Sequence, residues 1–172
     1  MDETIFENAF TRDESTLRET FRYAFFKSPL MILYYILTAI YIPQGILFLI
    51  FNPYRGPLDV AIFAVVAFGY AVLIYKYRIS VKTLIKRDKE MAHGEAFTVN
   101  LKVYDDKISI VTPASNQSVE FENIKYAFAT QNYVTVVTKA GFMYIFKKNC
   151  FTKGYEEDFI AFLRGKNVKI RK

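Results

Sequence analysis

A chain of 172 residues has room for one ordinary soluble domain, or for a membrane anchor and a domain of under about a hundred residues. Its single cysteine, Cys150, and single histidine, His93, exclude an intramolecular disulfide and any His/Cys metal set. The net charge of +6 lies wholly after residue 75: residues 1–27 sum to −2, and 76–96, 97–149 and 150–172 to +3, +2 and +3.

The chain opens on the acidic Met1-Asp2-Glu3-Thr4, and its first apolar run starts late and is long, unlike a cleaved signal peptide. Residues 4–11 read as a short strand or a loose lead-in. Thr11-Arg12-Asp13-Glu14 fits a capping box, with Leu17, Phe21, Ala24 and Phe25 following at helical spacing. Such a helix lies on a membrane surface or packs on the C-terminal domain.

No charge falls between Ser28 and Tyr54, and none between Val60 and Tyr75. Ser28 caps and Pro29 starts a helix to Phe51, 23 residues or about 34 Å, enough for a hydrocarbon core of roughly 30 Å. Pro43 and Gly45 predict a kink, and Asn52 to Pro57 a tight turn with Asp59 just beyond it. Leu58 to Tyr75 gives a second span of about 27 Å. Buried helices of a soluble protein normally keep a polar stripe, and residues 29–51 have none. Tyr34, Tyr35, Tyr54, Tyr75 and Tyr77 suit interfacial belts. Basic residues flank both runs (Arg12, Arg18, Arg22 and Lys27 before, Lys76 and its successors after), while the turn holds Arg55 alone. Both termini are thus expected in the cytoplasm.

After Tyr75 the helix is expected to run on as a basic stalk. Lys76, Arg78, Lys82, Lys86, Arg87 and Lys89 are its candidate lipid-headgroup contacts, each worth about 1 kcal/mol near an anionic surface. From Phe97 the period becomes two: Phe97, Val99, Leu101 and Val103 share a face. Asp105-Asp106 predicts a turn, Lys107 to Val111 the return strand, and Pro113 to Gln117 a loop. Strands follow at Val119 to Phe121, Ile124 to Phe128, Val134 to Thr138 and Phe142 to Lys147, with turns at Gln131-Asn132 and Ala140-Gly141. A closing helix is capped by Thr152, with Tyr155, Phe159, Phe162 and Leu163 on its apolar face, and residues 166–172 form a basic tail.

The expected architecture is an α+β membrane protein. Residues 1–27 form a cytoplasmic amphipathic segment, and 28–75 a transmembrane helical hairpin with spans at about 29–51 and 58–75. Residues 76–96 form the juxtamembrane stalk, and 97–172 an antiparallel β domain with a helix at 153–164. Six strands followed by one amphipathic helix resemble the pleckstrin-homology (PH) arrangement. With the hairpin added, the order resembles the bacterial YcxB-like family. Its elements recur as Val103-Tyr104-Asp105-Asp106-Lys107-Ile108, Glu120-Phe121-Glu122-Asn123-Ile124 and Ile145-Phe146-Lys147-Lys148-Asn149-Cys150-Phe151. Phe121 and Phe146 stand where relatives often carry Trp and Pro. The resemblance implies a bacterial cytoplasmic membrane and a PH-like cytosolic domain, and brings no catalytic residues.

The residues themselves bring none either. There is no phosphate-binding glycine loop, Asp105-Asp106 reads as turn chemistry, and Glu120 and Glu122 as solvated charges. The expectation is a non-enzymatic protein of the inner membrane, without cofactor or metal. It would offer the β domain to a protein partner through a strand edge or loop. Binding of anionic lipid, and by analogy a role in envelope stress or peptide immunity, are the alternatives. Nucleic acid ranks below these because most aromatics fall on the inward pattern. Partner and oligomeric state are left open.

Overall fold

The computed structural model describes residues 3–51, 56–93, 97–113 and 115–171. The fold is α+β, with two sheets built mainly of antiparallel strands and four α-helices among the described residues. Two compact units divide the chain: a β unit of residues 1–20 and 84–172, and a helical unit of residues 21–83.

The β unit begins with a strand. β1 (Phe6–Thr11) alternates buried and exposed side chains and pairs antiparallel with β2 (Thr98–Val103), from Phe6 opposite Val103 to Thr11 opposite Thr98. The N-terminal segment is therefore an integral part of the sheet that the sequence assigns to residues 97 onward. β3 (Lys107–Thr112) and β4 (Ser115–Glu120) continue the sheet beyond β2, and β8 (Phe151–Lys153) closes its other side against β1, giving the order β4-β3-β2-β1-β8. In the second sheet the order is β7-β6-β5-β9, from β5 (Ile124–Ala129), β6 (Tyr133–Thr138), β7 (Met143–Lys147) and β9 (Ile170–Arg171).

One side chain stitches the sheets together. Asn8, fully buried on β1, accepts from the Lys147 N–H at 3.1 Å and donates to the Lys147 carbonyl at 2.8 Å. Its amide thus behaves like one more residue of a neighbouring strand, satisfying two backbone groups at the end of β7. α4 (Glu156–Gly165) covers the core, with Phe159 and Leu163 fully buried and Phe159 against Phe146 (4.4 Å between centroids), Phe6 (5.5 Å) and Phe151 (5.7 Å).

Several expectations shift. β4 takes in residues 115–117, expected as loop, because backbone pairing to β3 decides an edge strand whose side chains are nearly all exposed. A register shift between Ile124 and Tyr126 breaks the alternation of β5, so Ala127 is buried and Tyr126 is only partly so. Thr152 belongs to β8, and the closing helix starts at Glu156 after Tyr155, whose side chain is 77% exposed. The tail contributes buried Val168 and β9, which pairs parallel with β5. Thr11 lies in β1; the cap of α1 (Glu14–Phe26) is Asp13, whose Oδ1 accepts from the Thr16 N–H and hydroxyl, both at 2.8 Å.

Of α1, Thr16, Leu17 and Thr20 are buried in the β unit, where the Thr16 hydroxyl meets the Tyr133 hydroxyl at 2.9 Å. The helical unit holds the remainder of α1, α2 (Pro29–Phe51) and most of α3 (Gly56–Met91). Ser28 Oγ caps α2 by accepting from the Met31 N–H at 3.3 Å. α2 and α3 run antiparallel, side by side. The Tyr34 hydroxyl donates to the Val66 carbonyl at 2.9 Å, and the Tyr34 ring meets Tyr70 at 4.9 Å. A Cβ at Gly45 would lie 2.6 Å from the Phe63 ring, which fills the space a side chain would need. Their outer faces are apolar and exposed, among them Leu33, Ile36, Leu37, Ile40, Val65 and Phe68. The turn expected at 52–57 lies, for residues 52–55, outside the described residues, as does the side chain of Asp59.

Candidate interaction surface

Sheets advertise binding capacity where a strand has a neighbour on one side only, because its outward N–H and C=O groups are unpaired. β4 and β7 end their sheets. In an antiparallel ladder, residues alternate between bonding the neighbour and facing away. The Phe142 carbonyl accepts from the Thr138 N–H and the Lys148 N–H donates to the Asn132 carbonyl, so even-numbered residues of β7 face β6. Odd-numbered ones face outward: Lys147 is taken by Asn8, while Met143 and Ile145 direct their backbone groups to the open edge.

A groove of about 730 Å³ lies at these edges, lined by Lys107 of β3, Gln117 to Glu120 of β4, Lys139, Phe142 and Tyr144. Phe142 is 63% exposed beside it, an uncommon state for a phenylalanine. Tyr144 sits inward, and burial pushes its phenol up. A second depression, of about 690 Å³, lies among Glu3, Thr4, Ile5, Asp105, Asp106 and Lys153. Its charges are mutually compensated: Lys153 pairs with Glu3 at 3.5 Å, and Asp105 with Lys166 at 2.7 Å.

Two further contacts brace the β unit. Glu19 of α1 receives the Asn132 N–H at 3.0 Å and the Asn132 side-chain amide at 2.8 Å, fixing the β5–β6 turn. Arg12 forms a two-pronged, mostly buried ion pair with Asp88 and lies 4.5 Å over the Phe97 ring. It ties the end of α3 to the point where β1 and β2 meet.

The six basic residues singled out from the sequence are all exposed on α3. Lys76, Arg78 and Lys82 fall in the helical unit, and Lys86, Arg87 and Lys89 in the β unit. Lys86 pairs with Glu90 at 3.7 Å, one helical turn away. Asn8, Asp88 and Phe142 escape sequence reasoning. An acid alone among Lys86, Arg87 and Lys89 is the one signal that points to any of them. Among the described residues no group of three or more His, Cys, Asp or Glu could hold a metal ion.

Among the described residues, Val60–Met91 is long and apolar enough to cross a membrane; Glu14–Phe26 and Met31–Leu47, bent by 60°, pass the same test as a pair. The family model described as YcxB-like protein matches residues 103–163, from the end of β2 through most of α4. This match supports the YcxB-like assignment. No curated protein matches the chain.

Proposed function

We propose that this YcxB-like chain is a non-enzymatic membrane protein in which a two-helix hairpin holds a PH-like domain at the cytoplasmic face, where it captures a partner protein along the β4–β7 groove. The observation that carries the architecture is that the helical unit is inserted between two hydrogen-bonded neighbours, β1 and β2. The Arg12 N–H donates to the Phe97 carbonyl at 2.8 Å, so the chain departs from and returns to one point of one sheet. A segment tied in this way crosses a bilayer an even number of times. That argues against a single span, and two are supported by the exposed apolar faces of α2 and α3, which water solvates poorly. Arg12, Arg18, Arg22 and Lys27 on one side, with the basic residues of α3 on the other, favour both termini inside.

For the partner, the open edge of β7 supports strand addition, in which backbone bonds supply affinity and side-chain pockets specificity. A photoreactive residue in place of Phe142 of the full-length protein, expressed in its own membrane, is expected to give one discrete adduct. Met143→Pro should abolish that adduct with the fold intact, because the lost N–H faces outward and not β6. An adduct indifferent to Met143→Pro contradicts strand addition. A second reading, attraction to anionic lipid, is favoured by the six exposed basic side chains of α3. It predicts that Lys76→Gln, Arg78→Gln and Lys82→Gln together reduce the anionic lipid retained by the purified protein.

A further inference from the structure

We infer that this protein self-associates in the membrane, and that Gln44 of α2 is the residue through which two copies recognise each other. The inference rests on the membrane reading above. α2 has 23 residues, and Gln44 is four past its midpoint, about 6 Å from the centre of a span. That is well inside a hydrocarbon half-thickness of about 15 Å. Its side chain is exposed, and steps of four and three residues place it on one face with exposed Leu33, Leu37 and Ile40. The face that meets α3 is a different one, carrying Tyr34 and Gly45.

An amide at that depth has no water to bond, and leaving it unpaired is costly. The occupant that meets this need is another copy of the same chain. Copies inserted with the same orientation present Gln44 at the same depth, and a two-fold axis along the membrane normal makes the contact self-complementary. Each amide then donates one N–H to the other's oxygen. Two such bonds between helices correspond to roughly a tenfold or greater gain in association.

The test is oxidative crosslinking of the full-length protein in its own membranes. Cysteine is introduced as Ile40→Cys in a Cys150→Ser background, and the lipid-facing Val65→Cys on α3 serves as control. The expected result is a crosslinked dimer at position 40 and none at 65. Gln44→Leu should lower the yield several-fold, and Gln44→Asn should restore part of it. Equal yields with and without the Gln44→Leu substitution, or equal crosslinking at positions 40 and 65, overturn the inference while the protein stays in the membrane fraction. Recovery of the protein in the soluble fraction would instead overturn the anchor itself, and the inference with it.

Discussion

At the scale of single residues, a few positions that hydropathy does not mark matter to the β unit alongside its apolar core. Gly154 has φ of +79°, and a Cβ there would lie 2.3 Å from Cδ1 of Phe6. Both the backbone conformation and the space demand glycine. Gly154→Ala is expected to destabilise the fold by about 2 kcal/mol or more, measured by chemical denaturation. Two carboxylates make stability depend on pH. For Asp13, partial burial acts to raise the pKa, but bonds from the Thr16 N–H and the hydroxyls of Thr16 and Ser15 outweigh it and hold the carboxyl low. For Glu19 burial likewise acts upward, and bonds from Thr130, Asn132 and Gln131 prevail. A depressed folded-state value means the stabilisation is present above the unfolded carboxylate range of about 4 and is lost as pH falls through the folded value. The denaturation midpoint should therefore drop on acidification from about pH 5 to 3, and less steeply in Asp13→Asn with Glu19→Gln.

At the scale of elements, the parts legible in the sequence are those whose signal is local. α2 starts and ends where its apolar run does, and Val99, Leu101 and Val103 are buried as a period of two requires. The turns at Gln131-Asn132 and Ala140-Gly141 fall where their residue types place them, Gly141 having φ of +87°. What was not legible depends on distant partners. β1 is ambiguous alone because its partner β2 follows the whole helical insertion, and β4 shows no alternation because nearly all of it faces solvent. β9 is two residues long, and only pairing with β5 defines it. Phe142 reads as a strand residue, and its exposure follows from where β7 begins. The position of β1 has a direct consequence. It lies between β2 and β8, so a fragment starting at residue 92 lacks an inner strand of the larger sheet and the Asn8 link to β7. Such a fragment is expected to remain unfolded by amide-proton dispersion, and to fold when residues 3–20 are supplied in the same chain. Dispersed signals from the fragment alone would show that β1 is an accessory.

At the scale of the whole molecule, strand pairing adds a constraint that hydropathy lacks. Among the described residues, helix length and apolarity mark one span, or two if a bent pair is joined. The pairing of Thr11 with Thr98 requires an even number of crossings for everything between them. In the proposed architecture, insertion into a β domain, instead of a tail, would start and end the anchor at the same sheet corner, where Arg12 and Asp88 meet. The proposed partner groove belongs to the same β unit and would be displayed on that one side of the bilayer.

Sidedness is therefore the property to measure. In a Cys150→Ser background, single cysteines are placed at residue 2, at residue 54 and at residue 172, and labelled with a membrane-impermeant maleimide in intact cells and in inside-out vesicles. Labelling of position 54 from outside only, with positions 2 and 172 reached from inside only, is the result predicted. Labelling of positions 2 and 172 from opposite sides, or of all three from inside, contradicts two crossings.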